Sequence, residues 1–349
     1  MQISIKIFKG RGKMKAPLEQ SVKNSTNVDA IVRGVLKKIA GFRELTIILI
    51  ILGIGTGLSI ASPYFFSVNN FKAIALALST DSRIVIGMTL VLISGGIDLS
   101  VGSVMGLAGI VTARLWQTYN VNIVVAALIG LLIAVFVGFL NGLFIGRVGV
   151  NPFIVTMATM GMCRGLDYVI TNGTPISVTN MPAAFRALGT GLILDILPVL
   201  VLIMLIIAVV SDYTLRRSSI ARKVFYIGSN EKAAILSGIN AKNVKMGVYI
   251  VSSALAGIAG ILTIARFGVA PATTGEPTAM MTISGAVIGG ASMLGGEGTV
   301  LGSILGIVLM NFIANGIVML NISVNWTQFV TGAVLIVAVT IDYLMHKDK

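Results

Sequence analysis

The chain has 349 residues, of which 56% are hydrophobic and 11% charged, with a mean hydropathy of +0.96. A soluble domain carries roughly a quarter charged residues, so the composition excludes a water-soluble enzyme and points to an integral membrane protein. The net charge of +13 does not point to nucleic acid. Ten of the 26 Lys and Arg precede Leu45 and seven lie between Arg216 and Lys245, the tail-and-loop gathering that the positive-inside rule produces.

The start, "MQISIKIFKGRGKMK", has charges but no apolar core before a small-residue cleavage site, so it does not read as a signal peptide. Residues 1–43 read as a basic cytoplasmic arm, in which Ile31 to Phe42 suits a short amphipathic helix on an anionic leaflet. Ten apolar blocks near the ~20-residue spanning length follow. They run at 45–62, 71–93, 98–115, 121–146, 150–171, 191–211, 244–265, 279–295, 298–320 and 325–344. Strand-like ten-mers of alternating polarity are absent. The fold class is therefore all-α, a polytopic membrane protein of about ten transmembrane helices, some of them broken or re-entrant.

An even number of spans puts both termini on one side. With the basic arm inside, Arg147, the cluster Arg216, Arg217, Arg222, Lys223, Lys232, Lys242 and Lys245, and the tail Lys347 and Lys349 all become cytoplasmic. The expected organisation is an arm at 1–43, a membrane domain at 44–345 with a cytoplasmic loop at about 212–245, and a tail at 346–349.

Between the second and third blocks, "ISGGIDLSVGS" sets Asp98 in apolar surroundings. Gly95 and Gly96 disfavour continuous helix by about 1 kcal/mol each relative to Ala. Asp98 with Ser100 then resembles a helix start, a carboxylate or hydroxyl capping free N–H groups. The other reading places Asp98 on a solute pathway at a discontinuous helix, with Ser94, Asn151, Phe153 and Asn172 as its further candidates; both can hold. Asn151, Pro152 and Phe153 mark a second helix start, with an Asn cap and Pro in the first turn. "TNGTPIS", Thr171 to Ser177 and including Asn172, is a polar outer turn that either meets a partner or is only a turn.

Glycines recur every four residues at Gly138, Gly142 and Gly146, and at Gly298, Gly302 and Gly306, flat stripes that favour close packing inside one bundle. "ISGGIDLSVGS" followed by Asn141-Gly142, and "VIGGASMLGGEGTVLGS" followed by Asn315-Gly316, hint at an internal repeat. Of the membrane-depth acids, Asp81 with Arg83 and Asp167 with Arg164 read as locally neutralised pairs, beside Asp98, Glu276 and Glu297. One cysteine, Cys163, excludes an internal disulfide, and with His346 as the sole histidine no metal spacing exists. No G-x-x-x-x-G-K-[ST] loop or catalytic constellation is present.

"GMTLVLISGGIDLSVGSVMGLAG", "NPFIVTMATMGMCRGLDYVITNGTPI", "GSNEKAAILSGINAKNVK" and "ISGAVIGGASMLGGEGTVLGSILG", in that order, resemble the membrane-spanning permease of bacterial ATP-binding-cassette (ABC) importers of the ribose/monosaccharide type. The resemblance covers roughly 45–344. It implies a ten-helix subunit of the inner membrane that pairs with a second permease, identical or not. Two cytoplasmic ATPase subunits that bind the ATP and an extracytoplasmic sugar-binding protein complete the importer, and this chain needs no cofactor. The third motif resembles the family's coupling loop. Asn230 caps a short helix there, Glu231 complements its dipole, Ala233, Ala234, Ile235 and Leu236 form an apolar face, and Gly238 ends it. The resemblance assigns coupling to Gly228, Asn230, Glu231, Ala233, Ala234, Ser237 and Gly238. One departure stands out: where relatives often have an acid in a stretch like "ELDAIAA", this chain has "EPTAMMTISGA", with Glu276 its only acid. A secondary carrier or channel for a small polar solute is the competing reading, and it has no need of the third motif.

Overall fold

The computed structural model describes residues 43–178 and 180–346; the stretch expected as an amphipathic helix and the tail lysines lie outside them. The chain divides into two compact units, Met1–Thr46 and Ile47–Lys349. The first is described only at Arg43–Thr46, the opening residues of helix α1 (Arg43–Ala61).

Twelve further α-helices follow among the described residues: α2 (Val68–Ile93), α3 (Val101–Tyr119), α4 (Ile123–Gly142), α5 (Pro152–Thr171), α6 (Ala183–Thr190), α7 (Val199–Arg217), α8 (Ser219–Ser229), α9 (Glu231–Leu236), α10 (Ala241–Phe267), α11 (Thr278–Ile288), α12 (Val300–Met319) and α13 (Trp326–His346). A π-helical turn, Leu143–Val148, extends α4. Two antiparallel pairs of two-residue strands tie loops together: β1 (Ile176–Ser177) with β4 (Val269–Ala270), and β2 (Leu192–Ile193) with β3 (Leu197–Pro198).

Among the described residues eight helices are long and apolar enough to cross a bilayer: α1, α2, α4 with its π turn, α5, α7, α10, α12 and α13. In α1 and α13 only 11% of the spanning window is buried, although the sequences are rich in Leu, Ile and Val. Such all-round apolar surface is stable only against lipid. The interior is built differently. Every residue of α3 from Val101 to Ile110 is buried, enclosed by α4, α5 and α10. Because protein surrounds it, α3 tolerates the serines and glycines that keep it out of the apolar eight. The stripe Gly138, Gly142 and Gly146 faces α10, where an added Cβ would lie 2.6–2.7 Å from Tyr249 O, Met246 Cα and Lys242 O. That stripe is a seam inside the bundle.

Three expected blocks need correction. The block at 191–211 begins as the β2–β3 hairpin, turned by Leu194 (φ +51°) and Asp195 (φ +56°), and the helix starts only after Pro198 and runs to Arg217. The block at 98–115 starts as helix at Val101. The block at 279–295 holds an 11-residue helix, α11. At 1.5 Å per residue it is ~16 Å long, about half a bilayer core. Hydropathy counts the apolar loop residues after it, but Gly290 at φ +96° takes the chain out of helix.

Candidate functional site

The first helix break lies between Ile93 and Val101. Gly95 takes φ +78°, a backbone state open to glycine without strain, and Asp98 is fully buried just beyond it. Its Oδ1 accepts from the Ser100 N–H at 3.0 Å and the Ser100 hydroxyl at 2.6 Å, and its Oδ2 from the Ser252 hydroxyl of α10 at 3.1 Å. Asn141 of α4 donates to Ser100 Oγ at 3.0 Å and accepts from the Thr159 hydroxyl of α5 at 2.7 Å. The hydroxyls of Thr156 and Tyr249 each reach the Ile97 carbonyl at 3.3 Å. The expected cap is thus modified. Ser100 stands at the N-cap of α3 but makes no side-chain cap bond; Asp98 holds the bend before the helix and links it to three other helices.

The second break, Gly289 to Thr299, separates α11 from α12. Gly290, Gly295, Gly296 and Gly298 all have positive φ there, and Ser292 N–H donates to Glu297 O at 3.0 Å. Its anchoring acid comes from 50 residues away. Asp342 of α13, 7% exposed, accepts through Oδ2 from the Ser292 hydroxyl and the Met293 N–H, both at 3.1 Å. The thermodynamic case for such pairing is the cost of leaving a buried carboxylate without donors.

The two breaks meet. Gly296 N–H donates to Ile93 O at 2.8 Å, and the end of α8 is wedged into that junction. A Cβ on Gly228 would lie 1.8 Å from Ile93 O and 2.5 Å from Gly296 N, and one on Gly295 would lie 3.0 Å from the Cα atoms of both Gly95 and Gly228. From this clasp the chain passes into α9, where Asn230 Oδ1 accepts from Ala233 N–H at 3.0 Å and Lys245 pairs with Glu231 at 2.7 Å.

The candidate residues from the sequence fall into separate places. Asn151, Glu231 and Gly238 line one cleft of about 650 Å³ with Arg147, Lys242 and Lys245. Asn151 caps α5 through Phe153 N–H at 2.9 Å, and Phe153 is half-exposed beside it. Asn172, left-handed at φ +51°, closes the other end of the 20-residue α5, ~30 Å away. Ser94 is buried, its hydroxyl donating to Val91 O at 2.7 Å. On α9 the expected apolar face splits: Ala234 is buried in this chain's own packing with Ile227 and Ala241, while Ala233, Ser237, Ile235 and Leu236 are exposed. Leu236 is 90% exposed.

Arg164 pairs with Asp167 at 3.2 Å, as expected, and also binds the carbonyls of Ala272 and Thr274. Asp81 and Arg83 form no such pair. Residues two apart on a helix point away from each other. Asp81 accepts from Asn311 at 3.0 Å, and Arg83, fully buried, donates to Leu200 O at 3.2 Å. The repeat hint is also only half kept. Asn141 serves the first break, whereas Asn315 pairs with Asn70 of α2 and serves neither. Asp342, Ser252 and Thr159 were missed by sequence reasoning. Asp342 had a signal, an acid inside an apolar helix; the two hydroxyls had none. Among the described residues no group of His, Cys, Asp and Glu could hold a metal.

Discontinuous helices that meet inside a lipid-facing bundle, beside a helical segment outside the spans, define a polytopic membrane transport protein. The chain belongs to the family described as branched-chain amino acid transport system / permease component, which matches residues 70–339. It is 34% identical to the ribose import permease protein RbsC of Haemophilus influenzae, over 94% of this chain and 99% of that protein. It is 32% identical to the D-allose transport system permease protein AlsC of Escherichia coli, over 89% and 93%. With the autoinducer 2 import system permease protein LsrC of Yersinia pseudotuberculosis it shares 31% identity over 88% and 86%. No solved structure matches.

Proposed function

We propose that the chain is the membrane-spanning subunit of an ABC importer in a bacterial inner membrane, with both termini cytoplasmic, and that it moves a monosaccharide or sugar-like solute inward. The observation that carries this is the 34% identity to a ribose import permease over nearly the full length of both chains. The family description names branched-chain amino acids, but relatives named for ribose, D-allose and autoinducer 2 all align over most of the chain. A second permease copy or homologue, cytoplasmic ATPase subunits and an extracytoplasmic binding protein complete the machine. The ATP site belongs to the partner ATPases, because the sequence holds no phosphate-cradling G-x-x-x-x-G-K-[ST] loop.

In this reading α9 is the contact to the ATPase, presented through Leu236 and Ile235, with Asn230, Glu231, Ala234 and Gly238 shaping it. Gly228 is the transmission point. It has no space to slide against Ile93 O or Gly296 N, so displacement of α8 moves both breaks together. Asn151, Phe153 and Asn172 border the exposed face of α5 along which solute passes, and Ser94 and Asp98 set the bend behind it.

Reconstitution in proteoliposomes with its ATPase and binding protein tests the reading. Labelled ribose should accumulate only when ATP is supplied on the ATPase side. Uptake driven by an ion gradient without ATP would favour a secondary carrier instead.

A further inference from the structure

Away from the clasp, a cleft of about 690 Å³ opens on the outer surface between α7, α8 and α10. Its two ends differ in chemistry. One is walled by Leu90 of α2, Val210 of α7 and Val251 of α10; the other by Lys223 of α8 with Asn240 and Asn243 at the start of α10. Val210 is 57% and Val251 43% exposed, so the apolar end lies open to the surroundings of the bundle. It is formed by three helices long and apolar enough to span, so it belongs to the surface such a bundle turns toward a bilayer.

The length of the cleft fits one leaflet. From Asn240 to Val251 the chain rises along α10 by on the order of 16 Å at 1.5 Å per residue, against ~15 Å for half of a bilayer core. With Arg216, Arg217, Arg222 and Lys223 gathered at its polar end, the positive-inside rule sets that end at headgroup depth and the apolar end toward the midplane. Charge is one-sided as well. Lys223 is the sole charged residue lining the cleft, none of the lining residues is acidic, and Lys223 is in none of the three ion pairs among the described residues. A pocket with a cation at headgroup depth, grading into apolar wall, is the shape of a site for an anionic lipid.

We infer that this cleft binds one anionic phospholipid, its phosphate at Lys223 and an acyl chain running between α7 and α10 toward Val210 and Val251. Neither the transport activity nor the clasp requires it. The site would tie the bilayer to α8, the helix whose far end holds both breaks.

The test uses the full chain in nanodiscs of phosphatidylcholine doped with phosphatidylglycerol carrying a photoactivatable acyl chain, with peptides mapped after irradiation. Label should concentrate on the α7 and α10 segments around Val210 and Val251. Gly247 lines the cleft, and a Cβ there would meet nothing within 4 Å, so Gly247→Phe has room to begin a bulky side chain at the cleft wall and should remove most of that label. Lys223→Gln, on an exposed side chain, should leave labelling by a phosphatidylcholine probe intact and lower the preference for phosphatidylglycerol about fivefold, the factor one lysine supplies at an anionic surface. The inference fails if Gly247→Phe, verified as folded by its thermal transition, labels like wild type, since the lipid is then only annular. It fails equally if Lys223→Gln keeps the full preference, or if the segments are shielded by residues 1–42 or by a second copy of the chain.

Discussion

The two helix breaks solve one physical problem by different means. Backbone out of helix at membrane depth must find hydrogen-bond partners inside the protein. The first break, 94–100, is short and anchored by its own Asp98, which reaches outward to α10 and through Ser100 to α4 and α5. The second, 289–299, is longer, takes four glycines through positive φ, and borrows Asp342 from the last helix. A break that carries its own acid is organised locally and broadcasts order to its neighbours. A break that borrows one is organised only when α13 is in place. The Ile93–Gly296 hydrogen bond and Gly228 then join the two.

The largest expected effect is at the joint itself. Gly228→Val puts atoms where Ile93 O and Gly296 N already stand, and overpacking against backbone that cannot yield should cost about 3 kcal/mol or more. The amount of protein in the membrane and its thermal transition in detergent should both fall sharply. A variant of near-normal stability would show that the joint has slack and that the breaks are not mechanically one unit.

Next comes Asp98. Asp98→Leu strands the Ser100 N–H and hydroxyl and the Ser252 hydroxyl, for a loss of about 3 kcal/mol. Asp98→Asn keeps an acceptor for Ser100 and should cost about 1 kcal/mol. Normal amounts of a stable Asp98→Asn protein without uptake would mean that the charge is used in transport and not only in holding the bend.

Asp342→Ala strands the Ser292 hydroxyl and the Met293 N–H and should cost about 2 kcal/mol. The comparison sharpens in the double variant Asp98→Asn/Asp342→Asn. Independent breaks give additive losses, whereas breaks joined through Gly228 give a coupling of at least about 0.5 kcal/mol.

The smallest effect on stability belongs to α9. Leu236→Asp alters a side chain that is 90% exposed and should move the thermal transition by less than about 0.5 kcal/mol equivalent, while weakening copurification with the ATPase. Ala234→Arg is the wrong probe for docking. It breaks this chain's own packing against Ile227 and Ala241, so its loss of function would arise inside the subunit.

Much of this architecture was written in the chain. The largely helical, membrane-type composition and the two glycine-rich interruptions follow from hydropathy and from the requirement that lipid-facing backbone bond to itself. Of the ten apolar blocks, eight correspond to spanning-length helices among the described residues or to parts of them. The caps at Asn151 and Asn230 were legible too, because a cap bonds N–H groups only two or three residues away. The failures have a common cause in distance along the chain. Leu192–Leu197 is as apolar as a span, and only its pairing as a hairpin under α7 shows that it is not one. Asp81 looked paired with Arg83, yet its partner is Asn311, 230 residues away. Ala234 looked like a docking face until packing turned it inward.

What the sequence by itself determined is that the chain is a helical membrane protein and where two of its helices break, since both depend on local composition and on glycine's freedom to take positive φ. Which acid holds each break, and that one glycine on α8 touches both, was decided only by tertiary structure. Hydrogen bonds between helices are fixed by how the bundle packs, and nothing within one helix's own sequence specifies the group that will arrive opposite it.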